Sequence, residues 1–157
     1  MFDQNQRSGD ESLLPQEIEV KTIALALQEN DAEAIALLES LKAGYEDCLE
    51  IVSSEEDAWT LWKFAKITYH KADITAIEAK PGQTELIIQS ANTSHLKQGS
   101  NTGLPGGYSS IAPRFKDNLV IYAFRYVSPG SSIGMRFDGL IFVRDKWVFI
   151  PKMWRAF

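Results

Sequence analysis

Leu119-Val120-Ile121-Tyr122-Ala123-Phe124-Arg125-Tyr126-Val127 is followed, after Ser128-Pro129-Gly130, by an extended run from Ile133 to Val143 and, across Arg144-Asp145, by another from Lys146 to Ile150. Branched and aromatic residues fill all three runs, and the connections are turn formers, so the stretch predicts an antiparallel meander. Strand alternation puts Leu119, Ile121, Ala123, Arg125 and Val127 on one face and Val120, Tyr122, Phe124 and Tyr126 on the other. Both faces are apolar enough to be covered. In the next strand the same rule groups Arg136, Asp138, Leu140 and Phe142.

Working towards the N-terminus, residues 73–79 and 84–90 flank Lys80-Pro81-Gly82-Gln83 and predict a further hairpin, giving four or five strands in all. Residues 91–117 hold Gly99, Gly103, Gly106, Gly107, Pro105 and Pro113 without an apolar period, and read as one long loop. Before position 70 the period is helical. A first helix is expected over 16–28, with Pro15 at its start and Val20, Ile23, Ala24 and Leu27 on one face. A second starts at Asn30 or Asp31, carries Ile35, Leu38 and Leu41 inward, and ends at Gly44 as a C-cap. Residues 46–52 suggest a short turn, and Ser53 with Glu56 forms a capping box that launches a helix over 55–68. Helices followed by strands indicate an α+β fold, with N-terminal helices packed on a curved, cone-like antiparallel sheet. Residues 15–157 are expected to form this single domain, and residues 1–14 a polar lead-in.

Composition bounds the chemistry. A chain of 157 residues, 45% hydrophobic and 24% charged, reads as one soluble globular domain with a core large enough to need no staples. Cys48 is the sole cysteine, so neither an internal disulfide nor a cysteine zinc site is available, and a buried, inert thiol is expected. The histidines are only two, His70 and His95, which argues against a histidine-rich metal site. No phosphate-binding loop and no GxSxG elbow is present; Gly103-Leu104-Pro105-Gly106-Gly107 lacks the required lysine. His70 with Asp73 and His95 with Ser109 each lack a visible third member. No cofactor, metal or catalytic residue is therefore assigned. The apolar runs are too short to span a bilayer. The start has no signal-peptide pattern, which implies a cytoplasmic protein if Met1 is the native start, and a periplasmic or lipid-anchored one if a leader preceded it.

Charge is divided unevenly. Residues 1–70 carry 15 acidic against 5 basic side chains, residues 71–157 carry 6 against 11, and the whole chain stands at −5. The basic residues are dispersed and the total is negative, so nucleic acid is not an expected partner. Attraction between acidic helices and a basic sheet is the simpler account.

Arg125 is the informative residue, because a guanidinium among Leu, Ile, Ala and Val needs a carboxylate, carbonyls or a ligand if buried. Asp138 in the neighbouring strand is a natural partner. The ordinary reading is a structural pair or a rim arginine; the functional one is a contact to an anionic or polar ligand in a sheet-lined pocket. On the 55–68 helix Trp59, Trp62 and Lys66 share one strip and Ala58, Leu61 and Ala65 another. The tryptophans are core packing or, alternatively, a ligand platform. The candidate lining is Trp59, Trp62, Tyr122, Arg125, Asp138 and Trp147, with the 91–117 loop as lid and Tyr108 and Arg114 reaching inward from it.

The end from Phe137 to Arg155 resembles the final hairpin of small bacterial α+β proteins in the broad cystatin-like and nuclear-transport-factor-2-like group. The resemblance implies helices packed into a curved sheet to form a cone with a mouth; many such proteins bind small molecules or dimerise, and some catalyse with an Asp or Tyr in the cone. The 91–117 stretch departs from it, offering no extra helix. Taken together, the expected function is non-catalytic binding of a small, partly apolar ligand in the concavity of the sheet. An alternative is an acidic interaction module of inhibitor or immunity type, using Glu46, Asp47, Glu50, Glu55, Glu56 and Asp57 towards a basic partner. A third is a cone-type isomerase or hydrolase with Asp138 as base, which requires a buried carboxyl with a raised pKa.

Overall fold

A computed structural model describes residues 15–70, 77–101 and 103–157. Four helices come first: α1 (Pro15–Leu27), α2 (Ala32–Ser40), α3 (Tyr45–Ile51) and α4 (Glu55–Thr68). Then follow β1 (Glu85–Asn92), two short helices α5 (Thr93–Lys97) and α6 (Gly107–Ile111), and the strands β2 (Val120–Val127), β3 (Arg136–Val143) and β4 (Lys146–Phe149). A 3-10 turn, Met153–Ala156, closes the chain. The sheet is an open antiparallel meander in the order β1-β2-β3-β4, so the fold is α+β, with helices on a curved sheet.

Local chemistry explains most boundaries. The Asp31 side chain caps α2 by accepting from the Ala34 amide at 2.8 Å. Gly44 does not end α2; it precedes α3, where its own amide donates to Asp47 Oδ2 at 2.8 Å. The cap of α4 is Ser54, accepting from the Asp57 amide at 3.0 Å, one residue later than the Ser53–Glu56 pairing expected from sequence. The Ser53 hydroxyl is drawn away to the Phe115 carbonyl. Ile35, expected inward, is 59% exposed, and Ala34 is the buried residue of α2. Arg144 and Asp145 both take positive φ and make the two-residue β3–β4 hairpin turn.

Two expectations about the middle of the chain are corrected. Residues 77–79 are not in a strand, and the rest of the expected 73–79 strand lies outside the described residues. The 91–117 stretch is not a featureless loop, since β1 runs into it and α5, α6 and a 3-10 turn over Ala112–Arg114 occupy much of it. Five-residue helices are too short to display a period, which is why composition alone read as loop. They are fixed by specific contacts. The Thr93 hydroxyl donates to the Lys116 carbonyl at 2.6 Å and accepts from the Leu119 amide at 3.0 Å. Gly107 lies so close to Trp154 that a Cβ there would sit 2.2 Å from the indole.

Both faces of the sheet are packed against helices. One face packs Val20, Ile23, Ala24 and Leu27 of α1 against Tyr122, Phe124, Tyr126, Leu140 and Phe149. The other packs Cys48 and Ile51 of α3 and Ala58, Leu61 and Ala65 of α4, together with Leu96, Tyr108 and Ile111, against Ile121, Ala123, Ile141, Val143 and Val148. The alanine-leucine strip of α4 is thus the core strip expected from its spacing.

The alternation rule fails once, inside β3. Tyr122 opposes Leu140 and Ala123 opposes Asp138, so Gly139 is an extra residue, a β-bulge. Its φ is +97°, and a Cβ there would meet the Ile150 carbonyl oxygen at 2.0 Å, so only glycine fits. The bulge turns Arg136 and Asp138 to the face of Ala123 and Arg125, while Leu140 stays with Tyr122 on the opposite one. The four-residue face Arg136, Asp138, Leu140 and Phe142 expected from sequence is therefore split at Gly139.

Candidate functional site

Beside the bulge the described structure opens into a cleft. Pairing with β4 ends at Leu140–Phe149, and β3 continues beyond it to Arg136. After Phe149 the chain turns through Pro151 and Lys152, the latter in the left-handed region at φ +57°, into the terminal 3-10 turn. Between this turn, the end of α4 and the continuation of β3 lies a cleft of about 330 Å³. Phe64, Ile77, Met135, Phe137, Phe149 and Pro151 give it apolar walls; Thr68, Arg136, Asp138, Lys152 and Arg155 are its polar groups.

Asp138 is only 3% exposed. Its Oδ2 accepts the Tyr108 hydroxyl at 2.5 Å and the Lys152 amide at 2.9 Å, and it is the αL conformation of Lys152 that aims this N–H. Burial raises the Asp138 pKa above the ordinary carboxyl value, while those two donors and the Lys152 charge pull the other way. Tyr108 is fully buried, edge-on to Trp154 at 5.1 Å. Burial and the neighbouring Asp138 keep its hydroxyl protonated far into the alkaline range. The arrangement can hold a proton at Asp138 or accept hydrogen bonds there, behind a rim of three cations.

Arg125 does not pair with Asp138, contrary to the structural pair expected from sequence. Its Nη2 donates to Gln89 Oε1 at 2.9 Å and its Nη1 to the Ser132 carbonyl at 3.0 Å. Gln89 stands on the neighbouring strand β1, opposite Ala123, and Gly103, at φ +121°, packs closely against it; a Cβ there would stand 2.6 Å from Nε2. Across the strands Arg125 is the direct partner of Arg136.

The other sequence candidates lie elsewhere. Trp59 and Trp62 form an aromatic cluster with Tyr45; Tyr45 and Trp62 are partly buried against the core, Trp62 with the Lys66 ammonium 4.1 Å above its ring, and Trp59 is half exposed. Arg114 Nη1 holds Asp57 at 2.8 Å, and its guanidinium stacks on Phe157. Tyr122 and Trp147 pack edge-on at 5.6 Å beneath α1, where the Tyr122 hydroxyl meets Gln16 and the Trp147 indole donates to Glu19. The structure therefore brings together Asp138, Tyr108 and, through Arg136, Arg125. It does not gather the remaining five. No described residue of the 91–117 stretch, the expected lid, is among those lining the cleft; Tyr108 sits in α6, edge-on to Trp154.

Sequence reasoning put Arg136 on one face with Asp138 but missed Arg136, Lys152 and Arg155 as a group, counting Lys152 and Arg155 among dispersed basic residues. A glycine in mid-strand was the available signal, since it commonly marks a bulge or a close backbone approach. Cys48 is fully buried, and burial pushes its thiol up to about 12, with Asp47 adding to the effect. Among the described residues no group of three or more His, Cys, Asp or Glu side chains is placed to hold a metal ion, and no helix is long and apolar enough to cross a membrane. No protein-family model, no curated protein and no solved structure matches the chain.

Proposed function

We propose that this domain binds a small, partly apolar molecule in the cleft beside β3, without chemical conversion of it. The observation that carries this reading is the cleft itself: about 330 Å³, apolar along its walls, with Arg136, Asp138, Lys152 and Arg155 converging on it. That size and that combination of apolar lining with few placed polar groups are typical of small-molecule sites. The resemblance to cystatin-like and nuclear-transport-factor-2-like proteins adds analogy only, since one fold hosts many functions. The test is a thermal-shift and NMR screen of a metabolite library against the wild type and Thr68→Trp, which fills the cleft from α4. Hits that shift the wild type and vanish in the filled variant support the reading. A screen with no hits, or with hits indifferent to the filling, sinks it.

A second reading, proton transfer by Asp138, is favoured by its burial and its raised pKa. It predicts that Asp138→Asn abolishes turnover of a bound molecule while leaving its affinity within a few-fold. The interaction-module alternative draws less support. Asp47 is buried against Arg144 and Lys146, Asp57 is held by Arg114, and Glu50 lies 4.0 Å from Lys116, so half of that acidic run faces the chain's own cations.

A further inference from the structure

Arg125 and Arg136 are direct partners on adjacent antiparallel strands, and the Gly139 bulge turns both to the same face. Like charges placed directly opposite each other in a sheet destabilise it, so the pairing needs a compensating anion. None is present among the described residues. Arg125 donates only to neutral acceptors, the Gln89 amide oxygen and the Ser132 carbonyl. No side-chain hydrogen bond or ion pair joins Arg136 to a described residue. The Nε atoms of both arginines are buried without an acceptor, and an unsatisfied charged donor is among the costlier features a fold can carry. Burial and the facing Arg136 also lower the Arg125 pKa, as expected of two guanidiniums held together without a counter-charge.

The surroundings extend the same sign. Arg136 lines the cleft with Lys152 and Arg155, and the single acid there, Asp138, already accepts from Tyr108 and the Lys152 amide. A positive pocket thus stands in a chain of net charge −5.

We propose that the ligand of this cleft carries a phosphomonoester, seated on Arg136 in the cleft lining and on its cross-strand partner Arg125 just outside that lining, with its organic part against the apolar walls. This rests on the cleft-binding reading above and names its ligand class. A carboxylate has two oxygens and satisfies one guanidinium fork. A phosphomonoester has three terminal oxygens and two charges, enough to accept from both arginines at once.

Calorimetric titration with phenyl phosphate, inorganic phosphate and neutral benzyl alcohol tests it on the intact chain. Phenyl phosphate is expected to bind best, inorganic phosphate more weakly, and the binding of both to fall at least tenfold in Arg125→Met and in Arg136→Met. Arg136→Lys keeps the charge but not the fork and is expected to fall in between. In phosphate-free buffer Arg136→Met is expected to melt no lower than the wild type, because it relieves the repulsion; circular dichroism then also certifies its fold. Phenyl phosphate affinity that survives both methionine variants overturns the proposal. If benzyl alcohol binds as well as phenyl phosphate and Thr68→Trp blocks both, the phosphate inference fails and the cleft reading stands. If no probe binds the wild type, both fail.

Discussion

Two buried carboxylates stand at opposite ends of β3, and their partners differ in kind. Asp47, 1% exposed, sits under the β3–β4 turn, where Lys146 Nζ and Arg144 Nη1 lie at 3.0 and 3.3 Å and the Gly44 amide at 2.8 Å. Asp138, 3% exposed, is held by a phenol and an amide, and the cations near it line the cleft instead of closing on its oxygens. The first carboxylate has its full counter-charge and ties α3 to the sheet. At the second, positive charge is left over, on Arg136 and Arg155 with no described acid against them. The buried acid with complete charge pairing marks a joint between α3 and the sheet, and the acid held by neutral donors lies beside cations that no described acid pairs.

The comparison breaks most completely at Gly139. Without the bulge, Asp138 and Arg136 would return to the face of Leu140, and Asp138 would leave Tyr108. Gly139→Ala must place a Cβ 2.0 Å from the Ile150 carbonyl at a φ of +97°. A loss on the order of 3 kcal/mol or more, up to failure to fold, is expected in urea unfolding, because backbone strain adds to the clash. A wild-type midpoint in this variant would mean that the bulge does not orient the cleft. Next comes Asp47→Ala, which leaves two cations and an amide facing a void. It is expected to cost about 2–3 kcal/mol, below the usual loss for a broken buried pair because Arg144 and Lys146 are about half exposed and can turn to water. Urea midpoints at constant m-value read it.

How far each region was legible in sequence follows from the range of the forces that build it. The meander and α4 were readable because alternation and helical spacing are local, and the Ala58, Leu61 and Ala65 strip is buried as spaced. The pair of short helices was not, because Thr93 and Gly107 act through Lys116, Leu119 and Trp154, all distant in sequence. The site was half legible. Arg125 and Asp138 stood out as polar residues in apolar strands, and Tyr108 as a residue reaching inward. Their connection was not visible, because one inserted glycine changes which face two residues occupy, and parity counting carries an error through every later position of the strand. The tryptophans drew notice by size alone, and Trp59 lies half exposed.

The finest test separates the two acids by pH. Asp138→Asn keeps an acceptor for Tyr108 and the Lys152 amide, so its cost near neutrality is expected to stay at about 1 kcal/mol or less. The sign of the pH effect follows from linkage. A carboxyl whose folded pKa is raised binds its proton more tightly when folded, so its contribution is full below the unfolded value of about 4 and is lost as pH rises through the folded value. The wild type should therefore lose stability relative to Asp138→Asn as pH climbs above about 4 and through the raised folded pKa, and the two curves should run parallel beyond it. Parallel curves throughout would mean that Tyr108 and Lys152 fully offset the burial of Asp138. That carboxylate would then be as well served as Asp47, and the contrast between the two ends of β3 would reduce to the unpaired arginines alone.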